Sequence, residues 1–298
     1  MQFKGQASNH LTPFFLIIIH ILFANFIVII SKQAFVSSNI HPLFFLFLRN
    51  LLSALILLPI ILPVFLQTYK IHKYKASFSR TVPAVIAITI WTYAYSHIPL
   101  THATILTFII PIITLIFANF LLKEKISTNR VIVILIGLVG VLIAIQPSFN
   151  KFNVYYLLVL IATTFWAIAN IARKISTQNN IKNFLCYYSF WSVICTFLIS
   201  IPFWEKIPLR VIPLILVAGI LTAIVNVMSF NSYKYNDVSL VQSFDFLRLI
   251  IVGTADILLF GGQFTINLFI GSGVIVLASI WLILHESRGL QKVANIQI

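Results

Sequence analysis

The chain has 298 residues, 60% of them hydrophobic and only 9% charged, against about 25% charged in soluble domains. So few charged side chains cannot coat a water-facing surface, which excludes a soluble globular protein. The formal charge of +14 does not signal nucleic-acid binding, because the basic residues gather at the ends of apolar stretches rather than in one patch.

In chain order, ten stretches read as membrane-crossing helices: 12–31, 42–66, 81–98, 101–122, 130–147, 153–173, 184–204, 211–232, 237–260 and 265–285. A hydrocarbon core about 30 Å thick needs roughly 20 residues of helix. Runs such as Leu51 to Leu66 lack the polar–apolar alternation of a membrane barrel, so the fold class is all-α, polytopic, with ten spans. The first run is full-length and has no small-residue cleavage site, so it is expected to remain as helix one. The longest loop is expected at about 67–80. Placing the N-terminus in the cytoplasm puts 14 Lys and Arg residues inside and 4 outside, with Arg49 and Arg248 within spans. The positive-inside rule then places both termini in the cytoplasm, with basic flanks against anionic lipid. Cys186 and Cys195, both in span seven, have neither disulfide nor metal-ligand spacing and read as packing residues.

The spans group as 12–147 and 153–285, five in each. Ala24-Asn25 resembles Ala169-Asn170, and Ile98 to Thr104 resembles Tyr233 to Ser239. The ends Leu122-Lys123-Glu124-Lys125 and Phe260-Gly261-Gly262-Gln263 also correspond. An odd number of helices per copy inverts the second, and inverted pairs are the architecture of secondary transporters.

Several segments carry a family resemblance. Trp91-Thr92-Tyr93, Pro99-Leu100-Thr101-His102-Ala103-Thr104, Phe108-Ile109-Ile110-Pro111 and Leu121-Leu122-Lys123-Glu124-Lys125-Ile126 resemble the first EamA module of the drug/metabolite transporter superfamily. Gly137 to Val141 with Gln146-Pro147 resembles its closing helix, and Phe244-Asp245-Phe246-Leu247-Arg248-Leu249 resembles a motif of bacterial members. The resemblance implies a carrier in the bacterial inner membrane, with two five-helix bundles around a central cavity and no cofactor or metal. Within the superfamily the chain is similar to the group holding S-adenosylmethionine uptake carriers, riboflavin carriers and amino-acid exporters. It departs from the family in ending span nine with Gly261-Gly262-Gln263 instead of a Gly-Glu pair, and in placing Asp256 where a small apolar residue is usual.

Charges within spans are costly and mark candidate sites, at about 2.5–3.5 kcal/mol each on insertion scales. Gln242, Asp245, Arg248 and Asp256 share one face of span nine at steps of three and four. Arg248 lies roughly 16 Å into the span, near the midplane, and Pro111 lies about 15 Å into span four. Two readings are open for this face: a substrate site with an Asp245–Arg248 pair, or a salt bridge that locks span nine to its neighbours. Asp256, near the outer end of span nine, is a candidate for gating or coupling, the plainer alternative being simple contact with water. Arg49, about 10 Å into span two, calls for a cavity or carbonyl partner. Asn226, on one face with Ser229 and Tyr233, either binds substrate or bonds across a helix contact.

Trp91 and Tyr95 share a face of span three, and Trp166 sits mid-span in six. Mid-membrane rings suit stacking on a flat or cationic ligand, or pack against lipid. His20 has the pKa to carry a coupling proton, the plainer alternative being a hydrogen-bonded core histidine. Glu124 is a candidate inner gate, Pro111 a helix-loosening element, and Asp237 an N-cap.

No clustered nucleophile, metal-ligand box or Walker loop is present, nor a repeated filter sequence. The expectation is a secondary carrier of a small organic metabolite, amino-acid-like or S-adenosylmethionine-like. A membrane-embedded enzyme or channel is the alternative, and the oligomeric state is left open.

Overall fold

The computed structural model describes residues 12–67, 71–123, 127–145, 153–177, 180–245 and 247–261, with parts of 266–285. Among the described residues the chain is all-helical. The helices are α1 (Thr12–Ser38), α2 (Pro42–Gln67), α3 (Ile71–His97), α4 (Leu100–Leu106), α5 (Ile110–Leu122), α6 (Thr128–Ile145), α7 (Val154–Ser176), α8 (Ile181–Ser200), α9 (Ile212–Tyr235), α10 (Val238–Ser243) and α11 (Leu247–Phe260). The described part of 266–285 is helical as well.

Six helical spans among the described residues are long and apolar enough to cross a membrane: Phe14–Ser38, Pro42–Leu66, Leu100–Leu122, Val154–Ser176, Ile181–Phe203 and Leu209–Tyr235. Large apolar side chains face outward, and several polar ones are buried among an otherwise hydrophobic core. Phe120 is 77% exposed and Leu258 75%, while Asn25, Arg49, Asn170 and Gln242 are buried. Large exposed aliphatic and aromatic surfaces are rare on soluble monomers and suit lipid contact. The chain is therefore a multi-pass membrane protein.

Three expectations change. The loop expected over 67–80 is helical from Ile71 onward, so α3 starts about three turns earlier than its apolar stretch. Its basic first half carries too little apolar character to show as a span. Spans four and nine, expected as continuous helices, are each interrupted. Span four passes through a 3-10 turn at Thr107–Ile109. Pro111 has no N–H to offer the Thr107 carbonyl, and Ile110 N donates to that carbonyl instead. Span nine breaks at Phe244–Asp245, where Phe244, Asp245, Leu247 and Arg248 all donate to the carbonyl three residues back. Shorter bonds of this kind tighten the turn and rotate the residues beyond it.

The principal packing runs between residues 12–145 and 154–260. α3 packs along α7, α2 along α8 and α9, and α1 along α9. The broken spans meet each other, α10 against α5 and α11 against α4. Small residues allow the closest approach: a Cβ built on Gly219 of α9 would fall 2.5 Å from Leu52 Cδ2 of α2.

Lysines secure two helix ends. Lys32 Nζ of α1 donates to the carbonyls of Tyr95 (2.9 Å), Ser96 (3.2 Å) and Ile98 (3.2 Å) at the end of α3. Lys174 Nζ of α7 donates to those of Tyr233 (2.9 Å) and Asn236 (2.6 Å) at the end of α9. Both satisfy carbonyls that a helix terminus leaves without intrahelical donors, and both add positive charge at the negative end of the dipole.

Candidate functional site

A cavity between the helices encloses about 1170 Å³, the space at its mouth included. Its wall is built from α1, α2, α3, α7, α8, α9 and both broken spans.

At one side the two breaks converge on Arg248. Its Nη2 donates to both carboxylate oxygens of Asp245, at 2.7 and 2.9 Å. Its Nη1 donates to Thr107 Oγ1 at 3.1 Å, and Thr107 lies in the turn of span four. The guanidinium carbon stands 5.9 Å from the centroid of the Trp166 ring, within cation–π reach. One side chain thus links the interruption of one span to that of the other. Side-chain exposure of the pair is 14% on each partner, so the ions are mostly out of water but open to the cavity they line.

Trp91 closes an aromatic wall: it meets Trp166 edge-on at 5.3 Å between centroids and lies only 2% exposed, so it faces the interior and not lipid. Gln242 donates to Tyr233 Oη at 3.0 Å, while its Oε1 has no partner among the described residues. Arg173 stands 5.6 Å over the Tyr233 ring. Arg49 is 6% exposed, and its Nε makes no hydrogen bond among the described residues. His20 Nδ1 is likewise unpartnered.

Of the residues proposed from the sequence, Gln242, Asp245, Arg248, Trp91, Arg49, Asn226, Trp166 and His20 line this cavity. Tyr95 does not. It is buried one turn past Trp91, 4.5 Å from that ring and 5.8 Å from Phe35 between centroids, so neighbouring rings enclose it. Pro111 is also outside the lining and acts on the backbone beside Ile110, which does face the cavity.

Asp256 sits away from the cavity as well. Its carboxylate accepts from Thr101 Oγ1 and from Thr101 N at 3.4 Å, holding the start of α4. It is buried and does not reach water as its terminal position suggested. The shared face of α11 is real in a different sense: Arg248 and Asp256 both reach span four, at Thr107 and Thr101. Glu124 lies outside the described residues. Asp237 occupies the N-cap position of α10, yet its carboxylate makes no cap bond and accepts from Arg130 Nη1 at 2.8 Å.

Sequence reasoning missed Arg173, Tyr188, Ser192, Thr222 and Asn50 in the lining, and Thr107 as the partner of Arg248. Span six, expected to end at Arg173, continues to Ser176 as α7, and Arg173 lines the cavity. The available signal was the place of Arg173 at the end of an apolar run without a Gly or Pro stop.

Comparison with known proteins agrees with this architecture. Residues 11–146 match the EamA-like transporter family. An S-adenosylmethionine uptake transporter of Rickettsia bellii (strain RML369-C) is 26% identical over 262 residues, spanning 87% of this chain and 89% of that one. A riboflavin transporter of Vibrio cholerae serotype O1 is 26% identical over 233 residues, spanning 77% and 78%. A crystal structure superposes with a TM-score of 0.69 at 15% identity, covering 89% of this chain and 96% of that one. That likeness speaks for the fold alone. The family match and the relatives point to a transporter and not to an enzyme: residues 11–146 are similar to the EamA-like transporter family, and most of the chain is similar to the S-adenosylmethionine and riboflavin transporters.

Proposed function

We propose that this protein is a secondary active carrier of a small organic metabolite, amino-acid-like or S-adenosylmethionine-like, working by alternating access in the bacterial inner membrane. Residues 12–147 and 153–285 act as two inverted repeats of five helices, ten in all, with both termini cytoplasmic. The observation that carries the reading is the Arg248 link between two interrupted helices at a polar cavity. Interrupted helices at a buried site are how carriers expose backbone and charge to substrate without exposing them to lipid.

Other features support the repeats. Exchanging the halves turns the α3–α7 packing into the α9–α1 packing, and the α2–α9 packing into the α8–α3 packing. Lys32 and Lys174 hold equivalent helix ends. Lys123 and Gly261, matched in the internal alignment, both adopt the left-handed conformation, with φ of 54° and 73°. The substrate classes named for the Rickettsia and Vibrio relatives, S-adenosylmethionine and riboflavin, are both heteroaromatic. The Trp91–Trp166 wall offers such a ring a stacking surface.

In this mechanism substrate competes with Thr107 and Asp245 for Arg248. Loss of that link frees the two broken spans to move, and a ligand drives the change only by binding the two states unequally. The test is counterflow of labelled S-adenosylmethionine in vesicles reconstituted with the protein. Saturable counterflow is expected, and Arg248→Ala should abolish it while inserting normally. Full counterflow by an inserted Arg248→Ala protein would remove Arg248 from the mechanism, and flux that never saturates would make this a channel.

A further inference from the structure

We infer that the transported substrate bears an anionic group and that Arg49 and Arg173 receive it; this rests on the carrier reading and specifies its ligand. Among the described residues the cavity holds three guanidinium groups, Arg49, Arg173 and Arg248, against one carboxylate, Asp245. Asp245 is already engaged by Arg248. The other described acids are committed elsewhere: Asp237 to Arg130, Asp256 to Thr101, and Glu205 to the His41 amide at 2.6 Å. No described carboxylate is left for Arg49 or Arg173.

A guanidinium held out of water without a counter-charge is strongly unfavourable, so proteins keep one where something else completes it. Arg49 is more than nine-tenths buried, its Nε has no hydrogen-bond partner among the described residues, and it faces the cavity. Arg173 lines the same space, its guanidinium over the Tyr233 ring. The planar fork of a guanidinium matches a carboxylate or a phosphate through paired hydrogen bonds. The cavity therefore divides its labour: Trp91 and Trp166 take a flat apolar part, and Arg49 with Arg173 takes the anion. A purely cationic substrate would meet an excess of like charge.

Matched probes test this in purified protein. S-Adenosylmethionine is compared with its decarboxylated form, and adenosine monophosphate with adenosine, by thermal shift and calorimetry. The anion-bearing member of a pair is expected to bind at least tenfold tighter, and Arg49→Met should erase the difference while Arg49→Lys restores part of it. The first pair reads out a carboxylate and the second a phosphate. Equal binding within a pair that does bind, or a gap that survives in Arg49→Met/Arg173→Met, overturns the inference. Independently of any ligand, Arg49→Met should raise the melting temperature of the empty protein by relieving an unpaired charge. A lower melting temperature overturns the inference by making Arg49 structural. If none of the four probes binds, the S-adenosylmethionine-like reading fails, and the melting temperature of Arg49→Met still decides the anion site.

Discussion

Asp245 and Arg248 show how a charged pair survives at membrane depth. Each ion compensates the other at 2.7 Å, and Thr107 and the Trp166 ring take up the rest of the guanidinium. Breaking such a pair from one side is worse than removing both members, because the survivor is left uncompensated, at about 3–5 kcal/mol for a well-buried pair. Asp245→Asn should therefore destabilise the protein by about 2–4 kcal/mol, and Asp245→Asn/Arg248→Met should recover most of the loss. Unfolding in detergent measures both, and an additive double variant would show that the pair is not coupled. The pairing was legible in the sequence, since a spacing of three on one helix brings the side chains together. Thr107 was not legible as a partner, because 141 residues separate it from Arg248 and an isolated threonine in a membrane helix carries no distinguishing pattern.

At the level of elements, hydropathy marked where helices lie but not where they yield. Pro111 announced the interruption of span four. Nothing comparable announced that of span nine, whose turn at Phe244–Asp245 contains neither Gly nor Pro. The weak helix preference of Ser243 and Asp245 was the only local trace. The start of α3 was lost for the opposite reason: its basic first turns are helical without being apolar, and a search for apolar runs ends where the charge begins. Helix contacts give a sharper prediction. Gly219 admits the Leu52 side chain so closely that an added methyl would stand 2.8 Å from Leu52 Cβ, which cannot rotate away. Gly219→Ala should cost about 1–3 kcal/mol through overpacking, visible as a lowered melting temperature. Leu52→Ala in the same chain should restore part of it. An unshifted melting temperature in the single variant would show that α2 and α9 have room to separate.

Across the whole molecule, each half depends on the other for its main packing surfaces, since α3 lies on α7, α2 on α8 and α1 on α9. Fragments 1–149 and 150–298 should each be degraded when made alone, and should restore transport when made together. Activity from one fragment would contradict this dependence. The sequence alone determined that the chain lives in lipid and carries stretches long and apolar enough to cross it. Those properties accumulate along the chain, because bilayer thickness and helix rise convert residue number directly into depth. Only the tertiary structure decided which polar groups share the cavity: it admitted Arg173 and Tyr188, left Tyr95 and Asp256 outside, and joined Arg248 to Thr107. In a uniformly apolar chain, hydrophobicity does not discriminate between neighbouring helices. The choice of partner falls to close packing and a few buried hydrogen bonds between residues far apart in sequence.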